Sequence, residues 1–419
     1  MLRYVLSIML SCLLCLPMVA ENLLDGNFIT IRGKVKDKET GRALPYATIS
    51  LQGNAVGTVS NSEGEFIFKI RSLETEGTIV VSHLGYKTAS VTLGEKGKYD
   101  GVTVWLMPTS TWLPEVLVSG RDARMLVEEA MSRVDENYSA DNLMLTGFYR
   151  ETARKKHHFI NIAEAVLEAS KTPYWSKDVS RDKTRVLKGR KLLSQKQGDT
   201  LAVKLLGGPT MAQFLDIVKN PYGLLDEEML DCFKFEIESV IAVNERQHFV
   251  VAFYPQTVVD WALYHGRYFI DMETLTLTRA EFMIDMSDRQ KATKSILRKK
   301  PLGLRFKPVE VSYIVDYKES GGRSRLNYVR NEIVFKCDWK RKLFSTEYSV
   351  VSEMVVTDSR LADANEITRR EQFQTSHVFS DDVALFYDED FWGAYNIIAP
   401  EESLEHAVKK LTKNRILDN

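Results

Sequence analysis

The sequence predicts a mainly β protein: a small N-terminal β-sandwich followed by a larger curved antiparallel β-sheet domain with a few helices. Three observations carry this. Apolar residues recur with a period of two over short segments before residue 107. The same period returns over longer segments after Leu143. Gly, Asn, Asp and Ser punctuate these segments where a chain turns.

In the first block, Ile29, Ile31, Gly33 and Val35 alternate with Thr30, Arg32 and Lys34. Phe66, Phe68 and Ile70 alternate with Ile67 and Lys69, and Ile79, Val81 and His83 share a face. Asp37-Lys-Glu-Thr-Gly41, Asn61-Ser-Glu-Gly64 and Leu84-Gly-Tyr86 are turn chemistry. Small polar side chains bond their own backbone there, and Gly supplies positive φ. Several short strands at this spacing make a sandwich over 27–107, with 108–121 as a linker.

A second domain is expected over 122–419. Asp122 can cap a helix whose apolar positions Leu126, Val127, Ala130, Met131, Val134 and Tyr138 form one stripe. Ten strand candidates follow: 144–152, 158–169, 184–193, 233–243, 247–254, 263–271, 275–286, 308–317, 326–335 and 344–356. Glu319-Ser-Gly-Gly-Arg323 reads as a hairpin loop. Residues 210–219 and 403–411 read as short helices, and Lys294-Ser295 with the basic run Arg298-Lys-Lys300 as a solvated loop face.

Residues 1–20 carry Arg3, an apolar run from Tyr4 to Leu16, Pro17 and then the small Ala20 before Glu21. This is the pattern of a secretory signal peptide cleaved after Ala20, and the run is too short for a comfortable membrane span. It implies a chain exported across the inner membrane, with no transmembrane span after cleavage; the expected place is the periplasm or the outer membrane of a Gram-negative bacterium. Two of the four cysteines leave with the leader. Cys232 and Cys337 remain, as a disulfide in an oxidising compartment or as two buried thiols.

The formal net charge is −1, and basic residues form no stripe with interleaved aromatics. Nucleic acid is therefore not an expected partner. At 44% apolar and 10% aromatic residues the chain can bury a sizeable core.

The N-terminal block resembles the carboxypeptidase regulatory-like domain family. The resemblance rests on Gly33-Lys-Val35, Thr40-Gly41, Leu44-Pro-Tyr-Ala47, Gly57-Thr58, Asn61, Gly64, Phe66 and Leu84-Gly-Tyr86. It implies a transthyretin-like sandwich that acts as an accessory and docking module, not as a peptidase. A zinc carboxypeptidase needs His-x-x-Glu, and none of the seven histidines has Glu three residues later. His-Glu-x-x-His is also missing. Leu113-Pro-Glu-Val-Leu-Val-Ser-Gly120 reads as a last edge strand with its exit linker, or as the segment that follows this module in SusC-type transporters. What remains after it is too short for such a transporter barrel. The later strands, with Gly266-Arg-Tyr-Phe-Ile-Asp-Met-Glu-Thr-Leu275, are similar to carrier proteins of the Lol type. That resemblance implies a half-open barrel around an apolar cavity.

Candidate sites are few. Trp261, Tyr264, Tyr268 and Phe269, with His265 among them, could line a ligand cleft or form an aromatic ladder in a core. His157-His158 fits a solvated strand tip. Asp381-Asp382 and Asp388-Glu-Asp390 lack Ca²⁺-loop spacing. Asp199-Thr200-Leu201 matches a short O-glycosylation acceptor motif at Thr200. No Gly-x-Ser-x-Gly elbow or phosphate loop occurs. The expectation is a non-catalytic envelope protein without a cofactor. Its β domain binds an apolar or amphipathic ligand on its concave face, or alternatively it is an interaction component of outer-membrane transport machinery. A hydrolase is the remaining class, and it would need convergent carboxylates or histidines in a cleft.

Overall fold

The computed structural model describes residues 28–71, 77–93, 99–109, 122–194, 201, 203–205, 207–243, 246–339, 345–363, 366–374, 379, 383 and 391–417. The leader, the cleavage point after Ala20, most of 108–121, Thr200 and the acidic pairs at 381–382 and 388–390 lie outside them.

Among the described residues, seven strands make the first domain: β1 (Phe28–Asp37), β2 (Thr48–Leu51), β3 (Gly57–Val59), β4 (Glu65–Arg71), β5 (Thr78–Ser82), β6 (Ala89–Thr92) and β7 (Val102–Leu106). They form two sheets, β4-β1-β7 and β3-β2-β5-β6. The period-two positions Ile31, Val35, Phe66, Phe68, Ile70, Ile79 and Val81 meet between the sheets in one core. The Asn61–Gly64 turn closes as its chemistry demands. Asn61 Oδ1 accepts from the N–H groups of Glu63 and Glu65, and Gly64 takes φ +74°.

The second domain opens with α1 (Ala123–Ser132), and the Asp122 side chain accepts from Arg124 N at its start. The apolar stripe then breaks at Arg133, and α2 (Val134–Asn137) completes it. The sheet strands are β8 (Leu143–Lys155), β9 (His158–Lys171), β10 (Lys183–Leu193), β12 (Phe233–Val243), β13 (Arg246–Pro255), β14 (Tyr264–Asp271), β15 (Leu277–Ile284), β17 (Leu304–Ser320), β18 (Arg323–Trp339) and β19 (Thr346–Leu361). The short β11 (Lys204–Leu205) and β16 (Leu297–Lys299) pair with each other. Also present are α3 (Pro209–Phe214), α4 (Glu227–Leu230), α5 (Arg289–Ile296) and α6 (Glu402–Leu417).

The ten strands form one antiparallel sheet in the order β10-β9-β8-β19-β18-β17-β15-β14-β13-β12. Two meanders run outward from the β8·β19 pair. The Gly321-Gly322 turn joins β17 to β18 with both glycines at positive φ. Two expectations change. The helix expected over 210–219 ends at Phe214, where Asn220 Nδ2 donates to the Phe214 carbonyl. Residues 289–296 are helical, capped by Asp288, and 297–299 form a short strand. Lys294-Ser295 and Arg298-Lys-Lys300, expected on a solvated loop, therefore lie mostly in regular structure.

One face of the sheet carries the main core, including Tyr149, Phe249, Val251, Phe253, Tyr268, Phe282, Val315 and Phe335. The other face meets the sandwich. There Phe148, Val166, Tyr328 and Val355 pack with Val59 of β3 and with Phe391, Trp392, Ile397 and Ile398. The segment 391–401 is a crosspiece between the domains. Asn396 uses its side-chain amide as a strand would, accepting from Lys69 N at 2.7 Å and donating to Lys69 O at 2.9 Å. Thr58 Oγ1 donates to Ile397 O at 2.9 Å. From the sheet, Arg150 Nη2 donates to Ile398 O at 2.8 Å. Arg150 also pairs with Glu164 at 2.8 Å, and Arg190 with the other Glu164 oxygen at 2.7 Å. Burial opposes the Glu164 charge, yet the two guanidiniums hold its carboxyl below the usual range.

Candidate functional site

A cleft of about 530 Å³ lies between the sandwich and the large sheet. Strand parity builds both walls. In β2 and β5, Ile49, Leu51, Ile79 and Val81 point into the sandwich core, so Thr48, Ser50, Val80 and Ser82 face the cleft. In β13, Phe249 and Val251 serve the large core and His248 faces out. In β17, Val315 and Tyr317 are core residues, while Asp316 and Lys318 line the cleft. Arg246, Arg279, Glu319 and Asn327 complete the sheet side.

Most of these charges are engaged. Asp271 is fully buried. Its Oδ1 accepts from the N–H groups of Glu273 and Thr274 at 2.9 and 3.0 Å, and its Oδ2 lies 3.0 Å from Arg246 Nε. Arg246 also reaches Glu319 at 2.7 Å. Arg279 pairs with Glu281 at 2.7 Å and stands 3.9 Å from Asp316, to which Asn327 Nδ2 donates at 3.1 Å. Burial pushes the Asp316 carboxyl up, with Arg279 opposing.

Both cleft histidines are held toward the neutral form. Burial, then the Arg279 guanidinium, brings His83 down to about 4, outweighing its ring contacts to the Leu84 and Pro45 carbonyls. Burial also lowers His248. Its Nδ1 lies 3.1 Å from the Arg246 carbonyl, and Nε2 finds no hydrogen-bond partner among the described residues. The nearest carboxylate oxygen, Asp271 Oδ2, is 3.8 Å from Nε2, too far for a hydrogen bond.

Lys318 is the exception among the lining cations. Its Nζ is buried without a hydrogen-bond partner among the described residues. Burial, then the charge of Arg325, lowers it to about 8.

The aromatic residues expected to share a cleft do not converge. Trp261 sits in the β13–β14 loop and is 53% exposed. Tyr264 packs edge-on against Phe282 and Tyr313, with centroids at 5.6 and 6.2 Å. Tyr268 is fully buried and stacks on Phe253 at 4.4 Å. Phe269, one residue on, faces the opposite side of the sheet. Tyr264 and Tyr268 thus belong to a ring-on-ring core. Cys232 and Cys337 are free, buried thiols. Cys232 precedes edge strand β12, five strands from β18, which holds Cys337. At about 4.8 Å per strand that is far beyond disulfide reach. His157 and His158 lie exposed at the β8–β9 turn. Among the described residues, no group of three His, Cys, Asp or Glu could hold a metal ion. No helix among them is long and apolar enough to cross a membrane.

The cleft residues went unread in the sequence. Alternation does put Asp316, Lys318 and His248 on the polar face of their strands. It does not say that a second domain covers that face.

Comparison with known proteins matches residues 31–118 to the CarboxypepD_reg-like domain. No curated protein matches. Among solved structures, a DUF1329 family protein from Desulfovibrio piger ATCC 29098 aligns at 10% identity and TM-score 0.28, covering 60% of this chain and all of that one. A protein of unknown function from Bacteroides fragilis NCTC 9343, described as membrane-associated, aligns at 11% identity and TM-score 0.16, over 79% and 97% of the two chains. Lipovitellin, from a study of lipid–protein interactions, aligns at 7% identity and TM-score 0.27, over 57% of this chain and 27% of that one. These three scores are too low to carry an argument, whereas the family match coincides with the observed sandwich: the N-terminal domain of this chain is a CarboxypepD_reg-like domain.

Proposed function

We propose that this is a non-catalytic binding protein of the bacterial cell envelope, with its ligand in the cleft between the domains. The observation that carries the reading is the construction of the cleft. Its two walls come from different domains, and the 391–401 crosspiece fixes their relation. The sandwich is then a permanent wall of the site. The envelope assignment rests on the leader pattern of 1–20 and on the accessory character of the N-terminal domain. Two observations favour binding over catalysis. Burial raises both thiols, Cys337 to about 11, so neither is a ready nucleophile. The Asp271 carboxylate beside His248 is committed to Arg246 and to its own turn.

A second reading keeps an apolar or amphipathic ligand on the other face of the sheet. It is favoured by the aromatic row Tyr264, Phe282, Tyr313, Phe306, Phe335 and Tyr348, which crosses five strands and whose Tyr264 and Phe306 are only half-buried.

One experiment separates the two. Thermal unfolding of the chain from Glu21 is measured with a panel of oligosaccharides, muropeptides and fatty acids, because a ligand of the native state raises the transition temperature. A stabilising compound is expected whose effect is lost in Ser82→Trp, which fills the cleft, and kept in Tyr313→Ala. Stabilisation by fatty acid alone, lost in Tyr313→Ala and kept in Ser82→Trp, would overturn the cleft reading in favour of the second.

A further inference from the structure

We infer that the Lys318 end of the cleft is an anion site, taking the carboxylate or phosphate of a hydroxyl-rich ligand such as an acidic saccharide. This rests on the cleft reading and names the chemistry of its ligand. Lys318 on β17 and Arg325 on β18 are direct cross-strand partners, so their side chains share a face. Arg325 is 6% exposed. Two cations thus stand side by side with little access to water. That arrangement is costly unless something negative joins them.

The carboxylates nearby do not meet the need. Glu319 is bound by Arg246. Asp316 is bound by Asn327 and faces Arg279. The exposed Asp358 acts on both cations only at a distance, and no hydrogen bond joins it to either. The Lys318 ammonium lies beside β3 of the sandwich, where a Cβ at Gly57 would stand 3.6 Å from Nζ. The group next to the cations must therefore carry negative charge. The opposite wall sets what that charge is attached to. Thr48, Ser50, Ser82, Thr88 and Ser90 present a row of hydroxyls from the sandwich, suited to a partner with many hydroxyls of its own. An oxyanion at Lys318, with the Arg325 charge beside it, gains a charge-assisted hydrogen bond in a poorly solvated place, where it is strong.

The test is a calorimetric titration of the chain from Glu21 with inorganic phosphate, digalacturonate and the neutral digalactoside. Digalacturonate is expected to bind at a single site, more weakly at high ionic strength, with the neutral sugar far weaker. Displacement of digalacturonate by phosphate would show that a bare oxyanion suffices, and its absence would show that the sugar hydroxyls are needed; each is consistent with the site. Lys318→Met is expected to lower affinity about tenfold or more, while Lys318→Arg retains binding. Lys318→Met removes a buried, unpartnered charge, so its melting temperature without ligand should equal or exceed that of the unaltered chain, and loss of binding cannot then be loss of fold. Equal binding of acidic and neutral sugars would overturn the anion site and leave the cleft reading standing. Undiminished digalacturonate binding in Lys318→Met, or binding of neither digalacturonate nor phosphate, would also overturn it.

Discussion

At the residue scale, the two cysteines show how position overrides composition. Cys232 sits after α4, its thiol 4.0 Å from the Glu228 carbonyl. Cys337 is 3% exposed on β18, opposite Phe306 and Thr346. Burial raises both thiols, so the reactive thiolate is scarce at neutral pH. The chain from Glu21 is expected to react negligibly with a thiol reagent when folded, and to yield two thiols per chain in denaturant without a reductant. Fewer than two would mean that the pair is oxidised. Single-residue chemistry was legible where it is local: Asp122 as a helix cap, Asn61 and Gly64 in a turn. It was not legible where it depends on a partner far along the chain. His248 and Lys318 gain meaning only once the sandwich lies over them.

At the scale of elements, the ten long strands were readable because each alternates over its whole length. Their order was nearly readable too, since eight of the nine pairings join strands that follow one another in the sheet's own meanders. The ninth, β8·β19, brings Leu143 against Leu361, and nothing local marks it. The helices were harder. α5 buries only Ala292 and Ile296 in a charged segment, so its pattern looks like a solvated loop. The pairing of β14 with β15 depends on Gly266, opposite Phe282. A Cβ there would stand 2.2 Å from the Glu281 carbonyl oxygen and 2.6 Å from Phe282 Cα. Both neighbours are backbone and cannot swing aside. Gly266→Ala must therefore push β14 and β15 apart, and overpacking of this kind costs about 1–3 kcal/mol or more. Chemical denaturation should show a midpoint lowered by that cost divided by the denaturant slope m. An unchanged midpoint would mean that the sheet gives way freely there.

At the scale of the whole molecule, the crosspiece 391–401 makes one unit of two domains. Its apolar residues follow neither a helical nor a strand period, which is why the sequence does not announce it. Phe391, Trp392, Ile397 and Ile398 are each less than a tenth exposed, and burying such side chains contributes about 1.5–3 kcal/mol apiece. Asn396 and Thr58 add the backbone-like bonds to the sandwich, and Arg150 adds those to the sheet. Removing the segment would expose Val59 on one domain and Phe148, Val166 and Val355 on the other. It would also take from Arg150 two carbonyl acceptors, leaving its Glu164 pair in place. Each domain keeps its own core, so the expected result is separation and not collapse. A chain ending at Asp390 should unfold in two calorimetric transitions where the longer chain shows one, and a protease should divide it between residues 108 and 121. A single transition at unchanged temperature would mean that the direct contact between β3 and the large sheet suffices, and the crosspiece would then be an ornament of the fold instead of its clamp.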